Sequence, residues 1–314
     1  MFLCYNPCRY KGDFLMKSIE KRNKRCFVLF LLLIAVIFLI QLPAFAEVTQ
    51  RRAVIGADLS AEQIDSVYRM FGVSRGSVIE LGMTNTEERQ ALEEYVDSSI
   101  IGTRSISCVY VELLEEGSGM DVTTSNITWC TPEMYISALA TAGVTDAKVI
   151  VAAPFEVSGT AALAGVYKAY EDMTGMKLDD LAKLVSTQEL TITGELAEEI
   201  GSMDSTSIVN DLKLMLNETE HMTDEEIRKE IIAIAAEYNV KLTDTQIRQL
   251  IDLCRSLEGL DTNELTKRVE DVQSTLQKVS DAKTQVVGFV QTVKKVVTSI
   301  KSFFDTIGKI LGWN

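Results

Sequence analysis

Histidine occurs once in the 314 residues, at His221. One histidine before a helix cap, with no nucleophile motif around it, excludes the usual Ser-His-Asp and Cys-His machinery, which needs nucleophile, base and orienter together. It reads as a solvated loop residue. Zinc ligation fails in the same way, because the chain has no Cys-x-x-Cys and no His-Glu-x-x-His. Gly-x-Ser-x-Gly, Walker and Gly-x-Gly-x-x-Gly motifs are also missing. Ser280-Asp-Ala-Lys283 matches Ser-x-x-Lys, but it lies on a long helical pattern and chance matches are common. No metal site and no cofactor is therefore expected. Four prolines and 18 glycines leave little room for a disordered linker. No second hydrophobic run of membrane-spanning length follows residue 46.

Basic residues are scarce: 31 Lys and Arg stand against 45 Asp and Glu, a net charge of -14. The imbalance deepens past the first 46 residues, which carry +5 and leave -19 for the rest. Such a surface repels phosphate backbones, so nucleic acid is excluded as a partner. Carboxylates such as Glu93, Glu94, Asp97, Glu112, Glu115, Glu116, Glu198 and Glu199 are abundant, and the sequence pairs none of them with a cleft. They read as a solvated acidic face, with an acid–base pair of glycosidase type as the sharper alternative. No Asp-x-Asp-x-Asp-Gly loop marks a calcium site.

What is present begins with a leader. Lys17, Lys21, Arg22, Lys24 and Arg25 form a basic region, and Cys26 to Leu42 is apolar. Ala44-Phe-Ala46 then offers the small-x-small pattern of signal-peptidase cleavage, before Glu47, with Met16 as the expected true start. The alternative is an uncleaved anchor, for which 17 residues is short. Either way the chain is expected to be secreted or held at the cell surface. Beyond the leader, Cys108, Cys130 and Cys254 remain. An odd count allows one disulfide, for which Cys108 and Cys130 are the better pair, or three buried thiols.

The fold class expected is α+β. Ser60 and Gln63 form a capping box before a helix that stops at Gly72, and strands are expected near Arg52–Asp58 and Val78–Met83. Ser105–Leu114 and Met120–Trp129 are β-rich and read as a hairpin across the turn Glu115–Gly119. Pro132 starts a helix that Gly143 closes, and Ala147–Ala153 is short and apolar enough for a buried strand. A helix from Gly159 ends at Gly175. Ser158, Gly159 and Thr160 join that strand to that helix. Such a helix start can hold an anion on backbone N–H groups, or Ser158 can simply cap it.

After Gly175 the β signal disappears. Residues 177–190 and 194–217 are helical by composition. Met222–Ile231 and Leu242–Ile251 repeat one pattern at a spacing of 20, with capping boxes Thr223/Glu226 and Thr243/Gln246, and read as a helical hairpin. From Leu265 apolar residues step by four and three through Val269, Val272 and Leu276. The stripe goes on to Val286, Val290, Val293, Val297, Ile300, Phe304, Ile307 and Leu311. Residues 283–314 carry +4. This long amphipathic heptad helix can dock on the chain's own helical layer, pair with a second copy as a coiled coil, or lie on a membrane surface.

The segment Ala147 to Glu171, with Ala53–Ser60 and Leu242–Ile247, resembles the YpuA-like family of secreted bacterial proteins, domain of unknown function 1002. The likeness covers about residues 47–260. It implies export and a cell-envelope setting in Gram-positive-type bacteria, and supplies no catalytic residues.

The organisation expected is a leader over 1–46, an α/β domain over 47–175, a helical region over 176–260 and the amphipathic helix over 261–314. The function expected is non-enzymatic binding or assembly at the cell envelope, with an unidentified envelope partner, self-association through the C-terminal helix and peripheral membrane contact. The alternatives are a cell-wall hydrolase using a carboxylate pair and a small anion-binding module at Ser158–Thr160.

Overall fold

The sheet is built from strands whose two faces are both apolar where they are central. The computed structural model describes residues 50–96, 98–273 and 276. The strands are β1 (Arg51–Gly56), β2 (Ile79–Met83), β3 (Cys108–Leu113), β4 (Met120–Ile127) and β5 (Ala147–Val157). Among them run helices α1 (Ala61–Phe71), α2 (Asn85–Leu92), α3 (Ser98–Ile101), α4 (Pro132–Ala142) and α5 (Ala161–Thr174). The rest is helical: α6 (Asp180–Ile200), α7 (Ser202–Leu214), α8 (Leu216–Thr219), α9 (Asp224–Glu237) and α10 (Asp244–Leu257). A last helix, α11, spans 262–273.

Strand order is β2-β1-β3-β5-β4. β3 runs antiparallel to both β1 and β5, and the outer pairs are parallel. The expected β3–β4 hairpin therefore does not form, because β5 lies between the two strands. The reason is in β5: Val149 and Val151 face one core and Ala152 the other, all fully buried. A strand that is apolar on both faces is stable only with neighbours on both sides. β4 alternates Met120 and Val122 inward with Asp121 and Thr123 outward, which suits an edge.

Helices cover both faces. α1 packs Val67, Tyr68 and Phe71 on Ala53, Ile55, Cys108 and Tyr110. α4 and α5 cover the opposite face, over Val54, Val109, Val111 and Val149. Burying each such side chain contributes about 1.5–3 kcal/mol, and a one-residue slip of any strand would exchange the faces. The crossovers β1–α1–β2 and β4–α4–β5 step the same way along the sheet but lie on opposite faces. They therefore have opposite hands, and one departs from the right-handed rule for parallel crossovers.

Capping boxes form at Ser60/Gln63, Thr84/Glu87, Thr223/Glu226 and Thr243/Gln246. Gly72, Gly143 and Gly175 close their helices in the left-handed region. The α6–α7 break falls at Gly201, later than composition suggested, since α6 runs unbroken through 190–194. α6 is buried nearly all round from Val185 to Gly194, so no solvent-facing stripe marks its extent. Arg255, late in α10, reaches Asp224 at the start of α9 and ties the repeated helices together. In α11, Leu265 and Val269 pack into the helical cluster, while Val272 joins the sheet-side core and Leu276 follows it there. The start of the heptad stripe thus docks on its own chain. Val286 to Leu311 lie outside the described residues.

Candidate functional site

Three helices meet around charge. Ser137 and Thr141 lie one turn apart on α4, Glu189 on α6, and Asn210 and Lys213 on α7. Ser137 Oγ and Thr141 Oγ1 each donate to the Glu189 carboxylate at 2.5 Å. Lys213 Nζ donates to Glu189 Oε1 and Ser137 Oγ at 2.9 Å, with Ser137 O at 3.2 Å and Thr141 Oγ1 at 3.3 Å. The Asn210 amide lies 3.0 Å from the Ser137 hydroxyl. A hydroxyl has one proton and Glu189 takes it, so Ser137 can only accept from the amide, through a nitrogen turned toward it.

A serine beside a lysine is the layout of hydrolases that use lysine as base. Here it is sealed: Lys213 and Glu189 are 0 % exposed and Ser137 1 %. No substrate atom can approach Ser137 Oγ, and its proton is already committed. Burial pushes the Lys213 ammonium toward neutrality, and the Glu189 charge opposes that. The arrangement fixes how α4, α6 and α7 pack.

Among the described residues a larger open cleft, of about 650 Å³, lies between Glu116–Gly119, Gly143–Asp146 and α11, and another, of about 430 Å³, lies between α2, α5 and the start of α6. α5 supplies Ala164, Tyr167, Lys168 and Glu171, one face of a helix at i, i+3, i+4 and i+7. Met83, Ala164 and Tyr167 are its buried floor, with Ala91 and Leu184 half-buried in the walls. Lys168 Nζ donates to Gly82 O at 2.7 Å and Glu87 Oε1 at 2.5 Å. Lys183 Nζ donates to Glu171 at 3.0 Å and contacts Asp180 at 2.8 Å. The Lys168 hydrogen bond, with the Thr84 backbone N–H, pulls Glu87 down to about 2. Burial works against the Lys183 charge, but the Asp180 and Glu171 hydrogen bonds outweigh it and hold the ammonium above its ordinary value.

This geometry belongs to a chain whose residues 55–279 match the family described as protein of unknown function (DUF1002). The chain is a member of the DUF1002 family. It is 33% identical over 290 residues to the uncharacterized protein YpuA of Bacillus subtilis (strain 168), covering 90% of this chain and 95% of that protein. No solved structure matches the chain.

In this DUF1002 protein the segment Ala147–Glu171 builds β5 and α5, so one of the cleft's walls comes from it. Ser158, Gly159 and Thr160 do form one loop between them. Gly159 has φ +94°, and its carbonyl accepts the Tyr135 hydroxyl at 2.6 Å. A Cβ there would meet Ile127 and sit 2.7 Å from Tyr135 Oη, so packing dictates the glycine. Thr160, 1 % exposed, occupies the cap position, and Ser158 does not cap the helix; its Oγ lies 3.4 Å from Thr160 Oγ1.

Cys108 and Cys130 do not pair, because they serve different cores on opposite faces of the sheet. With Cys254 they are buried free thiols, each pushed up to about 12 by burial. His221 is exposed in a turn, as expected. Of the surface carboxylates named above, Glu112 pairs with Arg51, Glu198 accepts the Trp129 indole N–H and Glu199 accepts Gln246 Nε2, while Asp97 lies outside the described residues. Among the described residues the buried ones are Glu88, Glu133 and Glu189, which sequence reasoning did not single out. Glu88 sits near the carboxyl ends of β1 and β2, accepting Ser105 Oγ at 2.6 Å and Asn85 Nδ2 at 3.3 Å, and burial raises its pKa. The only hint for Glu189 was the run Ser186–Thr193, where polar residues fill a helix without a polar stripe. Among the described residues no His, Cys, Asp or Glu group could hold a metal ion. No helix among them is long and apolar enough to cross a membrane.

Proposed function

We propose that this is an exported, non-enzymatic binding protein of the cell envelope. One observation carries the reading. The serine–lysine–carboxylate constellation of Ser137, Lys213 and Glu189 is walled off inside the fold, while the cleft between α2, α5 and α6 presents charges already held in salt bridges. Paired, hydrogen-bonded charges over an apolar floor recognise; they do not supply an activated nucleophile. The leader at residues 17–46 supports export, and family membership is compatible with it.

Residues 47–314, mixed with isolated envelopes of the source cells and sedimented, should travel with them. Mass spectrometry of the supernatant should find no fragments beyond the buffer control. Released peptides or glycans would replace binding with catalysis. Self-association through Val286–Leu311 is part of the proposal and needs its own cut. Because Leu265, Val269 and Val272 belong to the core, the shortened chain should end at Leu276. Light scattering should give a larger mass per particle, in multiples of the chain, for 47–314 than for 47–276. Two monomeric masses would remove the assembly part.

A further inference from the structure

We infer that the cleft between α2, α5 and α6 binds a short zwitterionic peptide with an apolar side chain. The inference rests on the binding reading above and adds the site and the ligand class. Its volume, about 430 Å³, lies in the range of small-ligand sites and holds a few residues of peptide. Its chemistry is mixed in a particular way. Lys168 and Lys183 bring two ammonium groups to the cleft, and Glu87, Glu171 and Asp180 bring three carboxylates. A pure anion meets a net negative rim, and a pure cation leaves the lysines unused.

Each lysine keeps something in reserve. An ammonium has three N–H donors. Among the described residues Lys168 spends two on Gly82 O and Glu87, and Lys183 spends two on Glu171 and Asp180. The third of either can take a peptide carboxylate without breaking an existing pair. The carboxylates likewise have lone pairs for a peptide ammonium. Between these charges the surface turns apolar at Met83, Ala91, Ala164 and Leu184, where a side chain of leucine size can lie.

The probe is the free tripeptide Ala-Leu-Ala, titrated by calorimetry into residues 47–314, with its N-acetylated and C-amidated forms as controls. The free peptide should bind, and masking either terminus should weaken binding at least about tenfold. Lys168→Gln with Lys183→Gln should weaken it by a similar factor. Ala91→Trp, a half-buried position on a cleft wall, should abolish binding, with circular dichroism confirming an unchanged fold. No heat of binding up to about 10 mM peptide, or affinity untouched by Ala91→Trp, overturns the inference. Should that happen while the protein still sediments with envelopes, only the cleft assignment falls. Should sedimentation also fail, the binding reading falls with it.

Discussion

Replacing Lys213 by Met tests what the sealed network does. Methionine keeps most of the lysine stem, so little cavity opens. What disappears is the cation hydrogen-bonded to Glu189, which is left with the Ser137 and Thr141 hydroxyls at 2.5 Å. Breaking a buried pair from one side costs about 3–5 kcal/mol. The carboxylate has one escape, which is to take a proton. In the unfolded chain a glutamate titrates near 4.3, and each pH unit above that makes a proton about 1.4 kcal/mol dearer. At pH 7 the escape therefore costs about 3.7 kcal/mol, which bounds the loss within the range for broken pairs. Against a typical total of about 5–15 kcal/mol, this is about a quarter to three quarters of the stability.

The sign follows from linkage. In the variant the folded state holds a proton that the unfolded state releases above about pH 4.3, so stability falls by about 1.4 kcal/mol per pH unit from there to pH 7. Urea unfolding at pH 4.5, 5.5 and 7, followed by tryptophan fluorescence, measures it. Adding Glu189→Gln removes the carboxylate and should flatten the slope, with most of the loss at pH 7 recovered. A Lys213→Met loss below about 1 kcal/mol at pH 7, or one that does not shrink in acid, would refute the reasoning.

Three further outcomes are expected. Glu88 has its folded pKa raised by burial, so its penalty is absent below the ordinary carboxylate pKa and grows as pH rises from there toward the folded value. Glu88→Gln should therefore gain on wild type in urea midpoint between pH 4 and 7, and a pH-independent difference would contradict this. The thiols of Cys108, Cys130 and Cys254 should resist maleimide in the native protein and react on unfolding. Rapid native labelling of any of them would show that its burial is wrong. Gly159→Ala should lose about 2–4 kcal/mol, from the positive φ and the clash with Ile127 and Tyr135. A thermal midpoint within a degree of wild type would count against the packing account of that loop.

Local chemistry was legible in the sequence. Ser60, Thr223 and Thr243 cap helices because an oxygen at that position meets an orphan N–H three residues on, whatever the fold around it. Gly72, Gly143 and Gly175 end helices for an equally local reason. The order of strands was not legible, since β3 and β4 have the composition of a hairpin and only the double-sided burial of β5 separates them. Nor was the Lys213–Glu189 pair. The two residues lie 24 positions apart on different helices, and Ser137 lies 76 from Lys213. Each looks like an ordinary solvated residue until three helices close around it. The cleft was half visible: the Ala147–Glu171 segment was singled out, but for its loop rather than for the face of α5 that lines the opening.

The same pairing of lysine with carboxylate thus serves two ends in one molecule, and exposure decides which. Around Lys213, with no water to replace a lost partner, the pair cannot be exchanged without several kcal/mol, so it holds helices in place. Around Lys168, a third exposed, an ion pair contributes at most about 1 kcal/mol, because water can stand in for either partner. A ligand can therefore displace or bridge the Lys168–Glu87 contact at little cost. With Glu87 pulled down to about 2 and Lys183 held up, both ends of the rim stay ionised across neutral and mildly acidic pH. A cleft whose charges are constant and whose pairs are cheap to rearrange is suited to reversible recognition.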